Sequence, residues 1–205
     1  MIFDIVQGLE NRAGMQISLL SEIIKVVKSG LERLINIEPQ SNELLRSKAI
    51  MLTKASDIFL NAGALDQAKY HILEAASIFK RVSEDGNTPM QRHREFAISL
   101  AKIGDLYQDD GSLPEAEKAY DDARNIIEFA ISNDQNNSQM KRDLSVCLNR
   151  IGDLRFRMRD FRGALEAYEN ALKIRGALRR SDPGRSEWWR DISVSLDRLG
   201  DLRYA

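Results

Sequence analysis

The chain has 205 residues, 43% of them hydrophobic and 30% charged, with a net charge of −1. That balance suits a soluble globular protein with a buried core, and four prolines with twelve glycines argue against a long disordered linker. A single cysteine, Cys147, excludes an intrachain disulfide framework, which favours a reducing compartment. The start, MIFDIVQGLENRAG, lacks the basic and apolar regions of a signal peptide. No apolar run approaches the roughly 18 residues of a membrane span. The expectation is a cytoplasmic protein with no membrane association.

The first clear element is ISLLSEIIKVVKSGLERLI from Ile17, an amphipathic helix. Beyond it the sequence repeats at an interval of 48 residues. RDLSVCLNRIGDL from Arg142 matches RDISVSLDRLGDL from Arg190 and REFAISLAKIGDL from Arg94. One step earlier stands RSKAIMLTKASDI from Arg46, with Ala55-Ser56 in place of Ile-Gly. The second half of each unit aligns as well: LPEAEKAYDDARNII from Leu113, FRGALEAYENALKIR from Phe161 and LDQAKYHILEAASIF from Leu65. Each unit reads as two helices. Phe96, Leu100, Ile103 and Tyr107 form one helical stripe, and Leu113, Ala116, Tyr120, Ala123 and Ile127 form the next. Thr88-Pro89-Met90-Gln91 has the pattern of a capping box with proline at the first helical position. DDGS (109–112) separates the two helices, while NDQNNS (133–138) and SDPGRS (181–186) separate units. No stretch alternates as a strand does, so the chain is all-α.

These positions resemble the tetratricopeptide repeat, whose pattern is a large residue, Leu-Gly, Tyr, then Ala, an aromatic and Ala. Leu100, Ile103-Gly104, Tyr107, Ala116, Tyr120 and Ala123 carry it. So do Leu148, Ile151-Gly152, Ala164, Tyr168 and Ala171, with Arg155 departing at the Tyr position. The earlier unit supplies Leu52, Ala55-Ser56, Phe59, Ala68, Ile72 and Ala75. The 48-residue interval exceeds the family's 34 by 14, which implies longer helices. The resemblance implies an α-solenoid of stacked antiparallel helix pairs in a right-handed superhelix, about four units plus a terminal helix. The boundaries expected within a single domain over 1–205 are a degenerate N-terminal unit (1–36), repeats 37–84, 85–132 and 133–180, and the first helix of an incomplete repeat (181–205). That last helix, ending at Ala205 without a partner, points to a fragment of a longer array. Burial of its face in a homo-oligomer is the alternative.

Two charged columns run through the repeat. Lys54, Lys102, Arg150 and Arg198 precede Asp57, Asp105, Asp153 and Asp201 by three residues, a spacing that allows pairing on one helix; an ion pair between repeats is the other structural reading, and a ligand-facing role the functional one. Arg46, Arg94, Arg142 and Arg190 form the second, and a neighbouring acid or a carboxylate of the preceding repeat is the expected partner. Of Trp188 and Trp189, adjacent on a helix, one is expected buried and the other exposed. His71 and His93 are isolated, Cys147 lies in an apolar stripe, and no catalytic, metal or phosphate-binding constellation is evident. No enzyme activity and no cofactor are therefore expected. Residues 139–205 hold 15 basic and 10 acidic residues, but acids interrupt every basic cluster, so no nucleic-acid partner is expected.

In the resembled family the residues around this Asp position face a concave groove that binds peptides. The candidate protein-binding residues are accordingly Lys102, Asp105, Asn149, Arg150, Asp153, Phe156, Arg157, Asp201 and Tyr204. The function expected is a protein–protein interaction module for a peptide or partner protein. The alternatives are a regulatory or sensor region of a larger bacterial signalling protein, and a self-assembling scaffold.

Overall fold

A computed structural model describes residues 17–84 and 89–203 of the chain. Among the described residues there are eight helices and no strand: α1 (Ile17–Ile37), α2 (Asn42–Asn61), α3 (Leu65–Ser83), α4 (Met90–Asp109), α5 (Leu113–Asn133), α6 (Ser138–Arg157), α7 (Phe161–Ser181) and α8 (Ser186–Arg203). The first helices of the units, α2, α4, α6 and α8, start at residues 42, 90, 138 and 186, each 48 after the last. The second helices, α3, α5 and α7, start at 65, 113 and 161 with the same interval. Helix α1 starts at 17, in phase with the second helices. No described helix is long and apolar enough to cross a membrane.

Helix starts follow from capping chemistry. The side chains of Ser41, Asn137 and Asp160 accept from the backbone N–H of Leu44, Met140 and Gly163, satisfying donors that the first turn leaves open. Pro114 occupies the first turn of α5, where a missing N–H costs nothing. Thr88 of the expected capping box lies outside the described residues.

The turn inside each unit is built the same way three times. The backbone N–H of Ala64, Ser112 and Asp160 bonds the carbonyl of Phe59, Tyr107 and Arg155 at 2.8–2.9 Å, five residues back. This Schellman-type ending requires a left-handed residue just before the donor. Gly63 (φ 75°) and Gly111 (φ 82°) fill that position in two turns, and Arg159 (φ 62°) fills it in the third.

The chain divides into two compact units, Met1–Ser99 and Leu100–Ala205, with the division inside α4. In the first, α2 packs on α3 with Ala49, Leu52, Ala55 and Phe59 buried against Ala68, Ile72, Ala75 and Phe79. Ser56 Oγ donates to the Ala68 carbonyl at 2.8 Å, so the helices cross over a small residue. A carboxylate–ammonium chain ties α1 to both: Lys28 Nζ meets Glu74 at 2.6 Å, and Lys48 Nζ meets Glu74 at 3.0 Å and Glu32 at 2.9 Å. Burial opposes charge on Glu74, yet these bonds hold its pKa below the ordinary value.

In the second unit the crossing point changes chemistry. Glycine replaces Ser56, at Gly104 and Gly152, and tyrosine replaces Ile72, at Tyr120 and Tyr168. A Cβ on Gly104 would stand 2.5 Å from the Tyr120 ring, and one on Gly152 would overlap the Tyr168 ring. The absent methyl makes room for a buried aromatic of high contact area. Cys147 is buried, its Sγ donates to the Tyr120 carbonyl at 3.4 Å, and burial pushes its thiol up to about 12. It is a core residue. Trp188 is 1% exposed and Trp189 52%, the expected division of an adjacent pair.

Candidate functional site

The expected residues fall into three environments. Asp105, Arg150 and Lys102 form one cluster. Arg150 Nε lies 2.9 Å from Asp105 Oδ1, and the Tyr120 hydroxyl donates to the same oxygen at 2.7 Å. Burial raises the pKa of Asp105, while the charges of Arg150 and Lys102 oppose that rise. The next cluster repeats it. Arg198 bonds Asp153 through Nε at 2.6 Å and Nη2 at 2.8 Å, a bidentate pair, and the Tyr168 hydroxyl donates to Asp153 at 2.8 Å. The carboxylate holds Arg198 above the ordinary arginine value. In both clusters the arginine comes from the first helix of the next unit, 45 residues on.

The arginine column behaves similarly. Arg46 clasps Glu95 with Nη2–Oε1 at 2.6 Å and Nε–Oε2 at 2.8 Å. Arg142 clasps Asp191, with Nε–Oδ2 at 2.6 Å and Nη2–Oδ1 at 3.2 Å. Both acids belong to the following repeat, 49 residues on. For Arg46 and Arg142 the expected carboxylate of the preceding repeat is corrected to one of the following repeat, while Arg46 also has a neighbouring acid, Glu43, at 3.7 Å. Adjacent first helices lie side by side, so the planar guanidinium meets a carboxylate edge-on across the gap.

Asn149 is the second correction. It is 3% exposed and cannot reach a ligand. Its amide oxygen accepts from Arg175 Nη1 at 2.9 Å and Nη2 at 3.2 Å. Arg175, also 3% exposed, bonds Ser145 Oγ at 3.0 Å, Ser195 Oγ at 2.7 Å and the Asp191 carbonyl. Burial lowers its pKa. The stripe position of Arg175 is occupied by Phe79 and Ile127 in the earlier units, so a cation stands where an apolar residue would, and Asn149 is one of the groups that satisfy it.

Asp153, Phe156, Arg157 and Asp201 do come together. With Tyr168 and Arg198 they line a depression of about 220 Å³. Phe156 makes an edge-to-face contact with Phe161, ring centres 5.6 Å apart. Arg157 donates to the Gln108 carbonyl at 3.1 Å. Asp201 is exposed and has no hydrogen-bond or ion-pair partner among the described residues. Tyr168 and Arg198 were absent from the expected set, and Tyr204 lies outside the described residues.

No family model matches the chain, and no curated protein matches it. A solved structure of TPR-like repeats, nearly identical to one another, from a Podosopora anserina protein named for kinesin light chain superposes with a TM-score of 0.52. That match is 13% identical and covers 99% of this chain and 87% of the other. BtubC (BKLC) of P. vanneervenii superposes with a TM-score of 0.50 at 14% identity, covering 98% and 81% of the two chains. The fold is a TPR-like helical repeat. Within that TPR-like fold the glycine–tyrosine crossing and the ion pairs between first helices are packing features, and the depression beside Asp201 is the part of the expected site left accessible.

Proposed function

We propose that the chain is a non-catalytic protein-interaction module, and that the depression beside Phe156 receives a short peptide segment. The observation that carries this reading is the state of three equivalent carboxylates. Asp105 and Asp153 are each occupied by a tyrosine and an arginine, whereas Asp201 is exposed at the mouth of a depression walled by Phe156 and Tyr168. A basic side chain would pair with Asp201 while an apolar neighbour lies on Phe156. An aromatic wall with a charge at its rim is the arrangement that supplies both affinity and orientation. The TPR-like fold supports the reading, since stacked helix pairs expose long faces built from repeated positions.

Affinity capture with the folded chain, followed by identification of bound peptides, tests it. Phe156→Ala with Asp201→Lys is expected to deplete the captured set at unchanged helicity. Identical capture by wild type and variant would refute the assignment of the depression.

A further inference from the structure

The end of α5 and the start of α6 frame a groove of about 400 Å³, with Ile131 and Leu144 among its walls and Glu128 and Lys141 at its charged positions. It lies at the opposite end of α6 from Phe156 and Arg157, and the two depressions share no residue. Both helices that follow, α7 and α8, are in place and leave it open.

One unit later the same station holds an aromatic ring. At an offset of 48 residues, Arg179 stands for Ile131, Trp189 for Lys141 and Gly176 for Glu128. The Arg179 guanidinium lies 3.6 Å from the centre of the Trp189 ring, a cation–π stack. An indole therefore bridges second helix and first helix there, where Ile131 and Lys141 leave a gap. The charges at the gap are unequal. Glu128 is engaged by Arg124 at 3.9 Å. The Lys141 ammonium has no hydrogen-bond or ion-pair partner among the described residues.

We propose that this groove receives the tryptophan side chain of an acidic partner segment. The indole lies against Ile131 and Leu144, as Trp189 lies against Arg179, and a carboxylate beside it in the partner pairs with Lys141. The filled station one unit on defines the ring, and the uncompensated lysine defines the charge. Because an exposed ion pair contributes little, burial of the ring supplies the affinity and the charge supplies the orientation. This contact does not rest on the Phe156 depression and adds a second point of attachment to the chain.

The test titrates the full, methyl-labelled chain with acetyl-Glu-Trp-amide, acetyl-Lys-Trp-amide and acetyl-Glu-Ala-amide, read by methyl NMR. The first is expected to shift the Ile131 and Leu144 signals saturably, the second to bind several-fold more weakly, and the third to leave them unmoved. Ile131→Arg with Lys141→Trp rebuilds the filled station and should weaken binding at least tenfold, with helicity checked by far-UV circular dichroism. Lys141→Ala truncates a partly exposed side chain and should abolish the difference between the two tryptophan peptides, whatever the fate of the double variant. No saturable shift, shifts confined to other residues, equal binding of the alanine peptide, or affinities unchanged in both variants would overturn the proposal. Contacts in the peptide-free chain between the Ile131 methyls and another segment of the same chain would overturn the partner assignment in favour of that segment.

Discussion

The Tyr168 hydroxyl and the Asp153 carboxylate, 15 residues apart, meet at 2.8 Å across the helix pair, and the ring occupies the space that a Cβ on Gly152 would take. One residue therefore performs two tasks. It fills the crossing of α6 and α7, and it orients the acid that Arg198 grips from the next first helix.

Gly152→Leu is expected to destabilise the protein by about 1–3 kcal/mol, because the new side chain must displace a buried ring. Gly200→Leu, made one unit later where nothing lies nearby, should stay within about 0.5 kcal/mol of wild type. Thermal denaturation of the two variants side by side checks the contrast. Equal losses would show that the glycine matters for some reason other than the tyrosine.

Tyr168→Phe removes one hydroxyl and is expected to cost about 0.5–1.5 kcal/mol. Asp153→Ala should cost more, since it leaves both the hydroxyl and a half-buried guanidinium without their partner. The Arg198 pair is partly solvated, so its own share is at most about 1 kcal/mol. A double-mutant cycle between Tyr168→Phe and Asp153→Ala, measured by urea unfolding, should show a coupling of comparable size.

Arg159 is expected to be improvable. It holds φ at 62° in the turn where the two sister positions are glycine. A left-handed conformation costs a side-chain-bearing residue about 1–2 kcal/mol, partly offset by glycine's greater entropy in the unfolded chain. Arg159→Gly should therefore raise the melting temperature slightly. A fall would mean that the arginine side chain contributes more than its backbone loses.

His71 gives a pH dependence. Burial, helped by the nearby charge of Lys28, lowers its pKa from the ordinary value near 6.5. The ring stacks on Phe59 with centres 5.2 Å apart, and Nδ1 has no hydrogen-bond partner among the described residues. The folded state thus binds the proton less readily than the unfolded chain. Stability is complete above about pH 6.5 and declines as pH falls through that value toward the lowered native one. Glu74 moves below its usual range and does not titrate there; Asp105 shifts with the opposite sign but from a far lower starting point. Urea midpoints at pH 7.5 and 6.0 should differ for wild type and converge for His71→Phe.

Much of this architecture was legible from periodicity. A 48-residue offset in the sequence places each helix, because the same apolar stripe and the same breakers recur in each unit. The ion pairs were legible only in part. The columns gave the participants and pairing within or between repeats as the options, but choosing the partner needed the side-by-side placement of first helices, which joins residues 45 or 49 apart. Asn149 was placed in the groove because the resemblance puts the residues around Asp153 there, whereas it is buried. Arg175 was the overlooked signal: a basic residue at an apolar stripe position needs buried polar partners, and Asn149 is one of them. Arg159 was invisible, since a positive φ is imposed by the turn and not by the residue.

The rungs that join first helices have a consequence for how such a chain can change. Each rung spans one unit and its successor, so its chemistry depends on phase and not on distance from either end. Gain or loss of a whole 48-residue block leaves the carboxylates facing their guanidiniums and the glycines under their tyrosines. A deletion of a few residues shears the rungs that cross it. Insertion or loss of a whole block is thereby expected to disturb the rungs less than deletion of a few residues.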